Sequence, residues 1–485
     1  MMDLARISSL TSGKHLGDNV MVSGLVNDTR KECGHKLYVA IKGPNFDGHQ
    51  YVDAAKENGA VAALIEKNVH VTVPCVQVDN SVLAMASIAS AWRRDFDIPI
   101  LGITGSAGKT TLKELAGSVL SQSRVGLVTE GNLNNEIGVP LTLTRLGDMH
   151  EFAVIEMGMN HAGEIQRLSK MTAPTVAIIN NAAPAHLDDL GSIEAVAQAK
   201  GEIIEGLDDN GVIVLNADDD FFDLWQRMAG SKEVVSFGLT DTADVFASYT
   251  STVNGSTMAV KGRFGEFIVE LPIQGEHNVR NALAVIAATM HMGCSIKDVQ
   301  QGLKQYQPLA NRGGVHCFDN FLLIDDTYNA NPVSMQAAFD VLKIKAAQAS
   351  QDAKSVHVSV VLGDMAELGD QVIRLHEQVG IEAALVADSF YCCGKNQQYY
   401  LQGVGKIETL NNEMKLGSKV ALGFSDTGDL IEKLKQRLLL QDENIFNLVL
   451  VKGSRSAGME KVVKKLIQYV SSGVSQQPID ETEGS

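Results

Sequence analysis

Short apolar runs alternate with amphipathic, helix-forming stretches along most of the chain, and the alternation restarts twice. In the first stretch, residues 20–26, 36–41 and 60–65 predict strands and 51–58 a helix, because short apolar runs bounded by Gly and Asn suit a pleated backbone. Residues 81–96 read as a helix leading into an apolar strand at 98–103, which places a boundary near residue 83. A helix over 111–120 comes next, then a strand at 151–157 and a helix at 163–168. A strand at 175–181, a helix at 193–206 and a strand at 211–216 complete the middle alternation. Between 244 and 272 the pattern changes to short alternating runs with Gly and Asn turns, which predicts an antiparallel flap. A helix over 278–291 follows. A second break falls after Asn311-Arg312-Gly313-Gly314. Strands and helices then alternate again through segments 321–326, 334–342, 357–362, 375–379, 384–386, 420–424, 429–439, 448–451 and 459–467.

One stretch carries chemistry in its spacing. Leu101-Gly102-Ile103-Thr104-Gly105-Ser106-Ala107-Gly108-Lys109-Thr110-Thr111 runs from a predicted strand through a glycine-rich turn into a predicted helix. That is the setting of a P-loop. Small residues let backbone N–H groups curl around a phosphate, and the helix N-terminus adds its own field. Lys109 offers a point charge to the outer phosphates and the Thr110 hydroxyl a ligand for Mg²⁺. The strict Gly-x₄-Gly-Lys-Thr spacing fails by one position, since counting back from Gly108 lands on Ile103, with the glycine at Gly102. The loop reads as a site for a nucleotide triphosphate.

The predicted fold is therefore α/β in three domains. Residues 1–83 form a small N-terminal α/β domain. Residues 84–314 form a central, doubly wound P-loop domain of the ATPase type with the small antiparallel flap. Residues 315–470 form a Rossmann-like C-terminal domain, and 471–485 a small, polar, acidic tail expected to be disordered.

Composition narrows the partners. The 485 residues carry 41 basic and 58 acidic side chains, a formal charge of −17, which argues against a nucleic-acid partner. The six cysteines, Cys33, Cys75, Cys294, Cys317, Cys392 and Cys393, show neither metal-ligand spacing nor disulfide-module density, so a reduced, cytoplasmic protein is expected. No signal peptide is read at the start, and no run approaches the roughly 18 apolar residues of a membrane span.

Several polar clusters follow strands, where ligand-binding residues gather. Asn27-Asp28-Thr29-Arg30 and Gly43-Pro44-Asn45-Phe46-Asp47-Gly48-His49 are either ligand loops or plain turns. Glu156 ends a strand, as an acidic metal ligand near a phosphate loop does. His186 follows the next strand at the edge where open α/β sheets bind ligands. Lys200 lies on a helix expected to pass nearby; a neutral lysine amine there could react with CO₂ to give an anionic carbamate, while a solvated lysine is the default. Asn278 and Asn281 share a helical face and suit a purine edge, or else cap the helix. Asp325-Asp326-Thr327-Tyr328-Asn329-Ala330-Asn331-Pro332 offers an acidic pair for ribose hydroxyls. With Gly363-Asp364-Met365-Ala366-Glu367 and Lys452-Gly453-Ser454-Arg455-Ser456 it forms three clusters at one sheet edge, which suggests a binding face.

This constellation resembles the Mur ligases, which build the peptidoglycan precursor, over nearly the whole chain except the tail. The displaced glycine is that family's own form of the loop. The Asp-Asp-Thr-Tyr-Asn-Ala-Asn-Pro, Gly-Asp-Met-Ala-Glu-Leu-Gly and Lys-Gly-Ser-Arg runs are similar to the member that adds D-alanyl-D-alanine. No Asp-Asn-Pro-Arg segment of the preceding, diamino-acid-adding ligase is present. The resemblance implies an ADP-forming amide ligase, a monomer, that joins D-Ala-D-Ala to UDP-MurNAc-tripeptide through an acyl phosphate. It implies ATP and Mg²⁺, two ions, held by Thr110, Glu156, His186 and a carbamylated Lys200. Lys109, Lys200, His186 and Arg312 would be catalytic. The nucleotide would lie on Gly105, Ser106, Ala107, Gly108, Lys109, Thr110 and Thr111, with Asn278 and Asn281 toward the adenine, Arg312 the phosphates and Asp326, with Asn329, the ribose side. Thr29, Arg30, Phe46, Asp47, Gly48 and His49 would take the UDP-sugar end, and Asn331, Arg455 and again Asn329 the dipeptide. Folylpolyglutamate synthetase is a similar neighbour, and a P-loop switch would explain the loop but not three polar domain edges.

Overall fold

The structure is a computed structural model that describes residues 2–67, 72–252, 254–352, 355–413, 420–439 and 445–471. Helix Glu460–Ser471 ends the described chain, so the tail expected from 471 lies, beyond Ser471, outside the described residues.

Three sheets succeed one another. The first has five strands in the order Lys14–Leu16, Cys75–Gln77, Ala62–Ile65, Leu37–Val39 and Leu25–Val26, parallel except at the first pair. The strand expected over 20–26 is two pieces. Met21–Val22 pairs with Met2–Asp3 in a separate ribbon, and Leu25–Val26 joins the main sheet. The break is at Ser23-Gly24, where Ser23 N–H and Gly24 C=O are taken by His35 and Leu37. Helix Ser81–Arg93 bridges two cores: Ala84, Met85 and Ile88 bury with the first sheet, Ala89 with the central one.

The central sheet has nine strands. From one edge they run Phe267–Leu271, Gly255–Gly262, Val245–Thr252, Glu233–Gly238, Val212–Asn216, Val176–Ile179, Ile100–Thr104, Phe152–Glu156 and Gly126–Val128. The P-loop strand thus sits inside the sheet, between Val176–Ile179 and Phe152–Glu156. Strand alternation sends Phe152 and Val154 to the face packed by helices Lys109–Leu120 and Glu276–His291, and Ala153 and Ile155 to the opposite face. Both faces are covered, which is why these strands read as unbroken apolar runs. The antiparallel hairpins expected as a flap continue this same sheet, because Val245 and Phe246 pair in parallel with Phe237 and Gly238.

The third sheet runs Gly314–Phe318, Phe321–Asp326, Ile445–Lys452, Ser355–Gly363, Ser389–Cys393 and Val420–Phe424, parallel except for the first pair. Segments 375–379 and 384–386 prove to be one helix, Val372–Val386, and the strand that follows is Ser389–Cys393. Its Phe-Tyr-Cys-Cys run is too short to show periodicity. The helix end before it, Ala383-Ala384-Leu385-Val386, is an unbroken apolar run that imitates a strand, although only Ala383 and Ala384 of it are buried.

Candidate active site

The glycine turn is braced from the neighbouring strand's end. Ser106 N–H donates to Asn181 C=O at 3.1 Å, and Ala107 N–H to Asn181 Oδ1 at 2.9 Å. Asn180 Nδ2 donates to Ala107 C=O at 3.0 Å and to Asn281 Oδ1 at 2.9 Å. Gly108 has φ 80°, and a Cβ there would stand 2.6 Å from Asn180 Nδ2 and 2.7 Å from Asn281 Oδ1, so only glycine fits. Lys109 Nζ folds back onto Gly105 C=O at 2.6 Å. Burial pushes its pKa down, opposed by Glu156 and reinforced by Arg312.

Glu156 ends its strand beneath the helix that starts at Lys109. Its carboxylate, 2 % exposed, accepts from Thr110 Oγ1 at 2.9 Å and from Asn134 Nδ2 at 2.7 Å. Both donors are neutral, and among the described residues no cation pairs with it. A buried carboxylate without a counter-charge is costly. This donor set, a hydroxyl and a carboxylate beside a phosphate loop, fits Mg²⁺, which takes few protein oxygens and keeps places for water and phosphate. Asn134 is a site residue that the sequence reading misses; the Asn-Leu-Asn-Asn run after strand Gly126–Val128 is its signal. Behind it, fully buried Lys113 donates to the carbonyls of Thr129 at 2.8 Å and Gly131 at 3.2 Å, and Thr129 Oγ1 accepts from Glu156 N–H.

His186 has a left-handed backbone, φ 56°, and its Nδ1 lies 2.5 Å from Glu367 Oε2 of the third domain. Lys200 is 1 % exposed and has no hydrogen-bond or ion-pair partner among the described residues. Burial first, and Lys109 second, hold its pKa well below the usual lysine value.

On the opposite wall, Asn278 Nδ2 donates to Gln274 C=O at 2.7 Å. Burial pushes the neighbouring His277 down to about 4, against Asp326. The Arg312 guanidinium lies 3.7 Å above the Tyr328 ring, and Arg455 stands 5.9 Å from the same ring. Asp326 accepts from buried Lys452 Nζ at 2.5 Å, and Lys452 also donates to Asn329 C=O at 3.0 Å. The acidic pair expected at this strand end is split by the pleat: Asp325 bonds Thr327 Oγ1 at 2.7 Å and does not line the cleft. Asn331 Oδ1 accepts from Ser334 N–H at 2.8 Å, a helix cap. Asp364 turns away as well. Its carboxylate accepts from Lys395 N–H at 2.9 Å and Asn396 N–H at 3.2 Å, in the turn before helix Gln397–Glu413.

One cleft of about 1860 Å³ gathers Ser106 to Thr111, Glu156, His186, Asn278, Asn281, Arg312, Asp326, Asn329, Asn331, Glu367 and Arg455. Gly105 and Lys200 stand behind its lining. The structure does not bring the N-terminal candidates to it. Arg30 is exposed and pairs with Asp28 at 2.8 Å, and Thr29 C=O accepts from Asn58 Nδ2. Phe46 is 58 % exposed; Asp47 lies between Lys67 at 2.5 Å and buried His49 at 2.6 Å. Gly48 packs against Ile41, whose N atom a Cβ would meet at 2.7 Å. These residues sit instead on loops after the paired parallel strands Leu25–Val26 and Leu37–Val39.

Known proteins share this arrangement. Three family models match in chain order: "Mur ligase family, catalytic domain" over residues 22–100, "Mur ligase middle domain" over 103–289, and "Mur ligase, glutamate ligase domain" over 311–455. The UDP-N-acetylmuramoyl-tripeptide–D-alanyl-D-alanine ligase of Haemophilus influenzae is 38 % identical over 474 residues, covering 96 % of this chain and 98 % of its own. A crystal structure of MurF from Acinetobacter baumannii superposes with a TM-score of 0.86 at 30 % identity, covering 96 % of this chain and 99 % of that one. MurF ligase from Thermotoga maritima, in complex with ADP, gives 0.77 at 26 % identity, with 93 % and 98 % covered. With its three domains matched in order and its relatives aligned almost end to end, this chain belongs to the Mur ligase family.

Proposed function

We propose that the chain joins D-alanyl-D-alanine to UDP-MurNAc-tripeptide, forming an amide and releasing ADP and phosphate. The observation that carries the reading is the pairing of a braced phosphate loop with a buried carboxylate that lacks a cation, both in a cleft the third domain closes.

A carboxylate at pH 7 is a poor electrophile. Transfer of the terminal phosphoryl group of ATP to it gives an acyl phosphate, whose carbonyl is attacked by the dipeptide amine with loss of phosphate. Loop N–H groups and Lys109 hold the outer phosphates, and the turn's bracing by Asn180 and Asn181 fixes those donors before the nucleotide arrives. Mg²⁺, held by Thr110 and Glu156, supplies charge neutralisation at the transferring group. Arg312, kept over Tyr328, brings an unpaired guanidinium to the same cleft, and Asp326, kept by Lys452, an acceptor for ribose hydroxyls. Lys200 in its neutral form adds to CO₂ with loss of one proton, which would replace a buried cation by a carbamate anion near Lys109. Arg455 and Asn329 lie where the dipeptide would enter, and Thr29, Arg30 and Phe46 to His49 take the UDP end when the first domain closes over it.

The cleft is built from a single chain, which supports a monomer, and no described helix is long and apolar enough to cross a membrane, which fits a cytoplasmic step. The test is phosphate release with ATP, Mg²⁺, UDP-MurNAc-tripeptide and D-Ala-D-Ala. Release must need both acceptors, and Lys109→Ala must abolish it while the protein stays folded. Release from ATP alone would instead mark a nucleotide switch.

A further inference from the structure

The central and third domains meet through two short loops beside the cleft. Leu187 N–H donates to Glu367 C=O at 3.0 Å, and Gly369 N–H donates to the Asp188 carboxylate. Between them the Glu367 carboxylate reaches His186 Nδ1 at 2.5 Å. His186 has φ 56° and Glu367 φ 60°, so two of the five non-glycine residues in the left-handed region among the described residues face each other across this seam. A Cβ on Gly369 would stand 3.2 Å from Leu187 backbone, so the loops are closely fitted.

An imidazole whose Nδ1 is engaged by a carboxylate is held in the Nδ1–H tautomer, and its ring orientation is fixed. Nε2 then keeps its lone pair, and no protein partner is found for it among the described residues. The carboxylate belongs to a different domain from the ring it sets. We infer that Glu367 is a positioning residue for His186, so that the phosphoryl-transfer site is completed only when the third domain docks. This deepens the proposed function and rests on its placing of His186 at the transferred group.

The test uses the full chain labelled with ¹⁵N-histidine, the His186 signals being assigned with His186→Gln. In the ADP-bound wild type the ring should show a protonated Nδ1 and an unprotonated Nε2. Glu367→Ala should turn this into a mixture of tautomers and weaken Mn²⁺ binding to the ADP complex at least about tenfold. Glu367→Gln, whose Oε1 still accepts from Nδ1–H, should stay close to wild type in both. A backbone role alone would leave the tautomer unmoved, because the Leu187–Glu367 hydrogen bond does not use the side chain. An unchanged tautomer in folded Glu367→Ala overturns the inference while leaving the ligase reading intact. A tautomer that follows Glu367 in a chain lacking acceptor-dependent phosphate release supports the positioning and sinks the proposed function.

Discussion

Replacing Gly108 by alanine tests the phosphate loop through a single methyl group. The left-handed backbone at φ 80° costs a non-glycine residue roughly 1–2 kcal/mol. The added carbon would also meet Asn180 Nδ2 at 2.6 Å and Asn281 Oδ1 at 2.7 Å, the two atoms of a hydrogen bond that braces the turn. Parting them forfeits about 1 kcal/mol, and the loop carbonyl of Ala107 loses its brace with them. The sum, about 3 kcal/mol, falls on the loop alone and corresponds to a roughly hundredfold loss of ADP affinity. Titration calorimetry with ADP measures it. Gly265→Ala is the control, because φ is 100° there but nothing lies within 4 Å of the new methyl. It should cost some stability and leave ADP affinity unchanged. ADP binding by Gly108→Ala within twofold of wild type would refute the claim that this turn grips phosphate.

Three further outcomes are expected. Lys113→Met leaves the Thr129 and Gly131 carbonyls without their donor and should cost about 2–3 kcal/mol in urea unfolding, by loss of a buried partner. Glu156→Gln should remove the activating effect of Mg²⁺ on phosphate release by a factor of about 100 or more, read from a metal titration, with the melting temperature little changed. His277 is held near 4 in the folded chain against about 6.5 when unfolded. Below pH 6.5 the unfolded state therefore binds the extra proton, and stability falls as pH drops from 6.5 toward 4. His277→Gln should flatten that slope; an identical slope in urea unfolding at pH 4.5 and 6.5 would rule the residue out as its source.

What the sequence displays is local. The strand, turn and helix around Lys109 and the carboxylate at the end of Phe152–Glu156 follow from composition and spacing within a dozen residues, and the structure brings them together. Asn134 and Lys113 escape notice because each acts on backbone or carboxyl groups that lie elsewhere in the chain. Asp325 and Asp326 look like a pair in one dimension and become opposites once the strand pleats. Contact between His186 and Glu367 joins two domains across distant stretches of chain, which no periodicity encodes. The flap reads as separate only because pairing of Val245 with Phe237 is invisible without the register.

The turn that follows strand Ser389–Cys393 has a bearing on stoichiometry. In comparable α/β sheets such a turn, opening into a helix, is a cradle for a dinucleotide's phosphates. Here the chain has filled it with its own anion: Asp364 holds the amides of Lys395 and Asn396, and a side chain on Gly394 would strike that carboxylate at 2.5 Å. The C-terminal sheet has kept the shape of a nucleotide fold and surrendered its berth, so one nucleotide per chain is all that saturation should ever find.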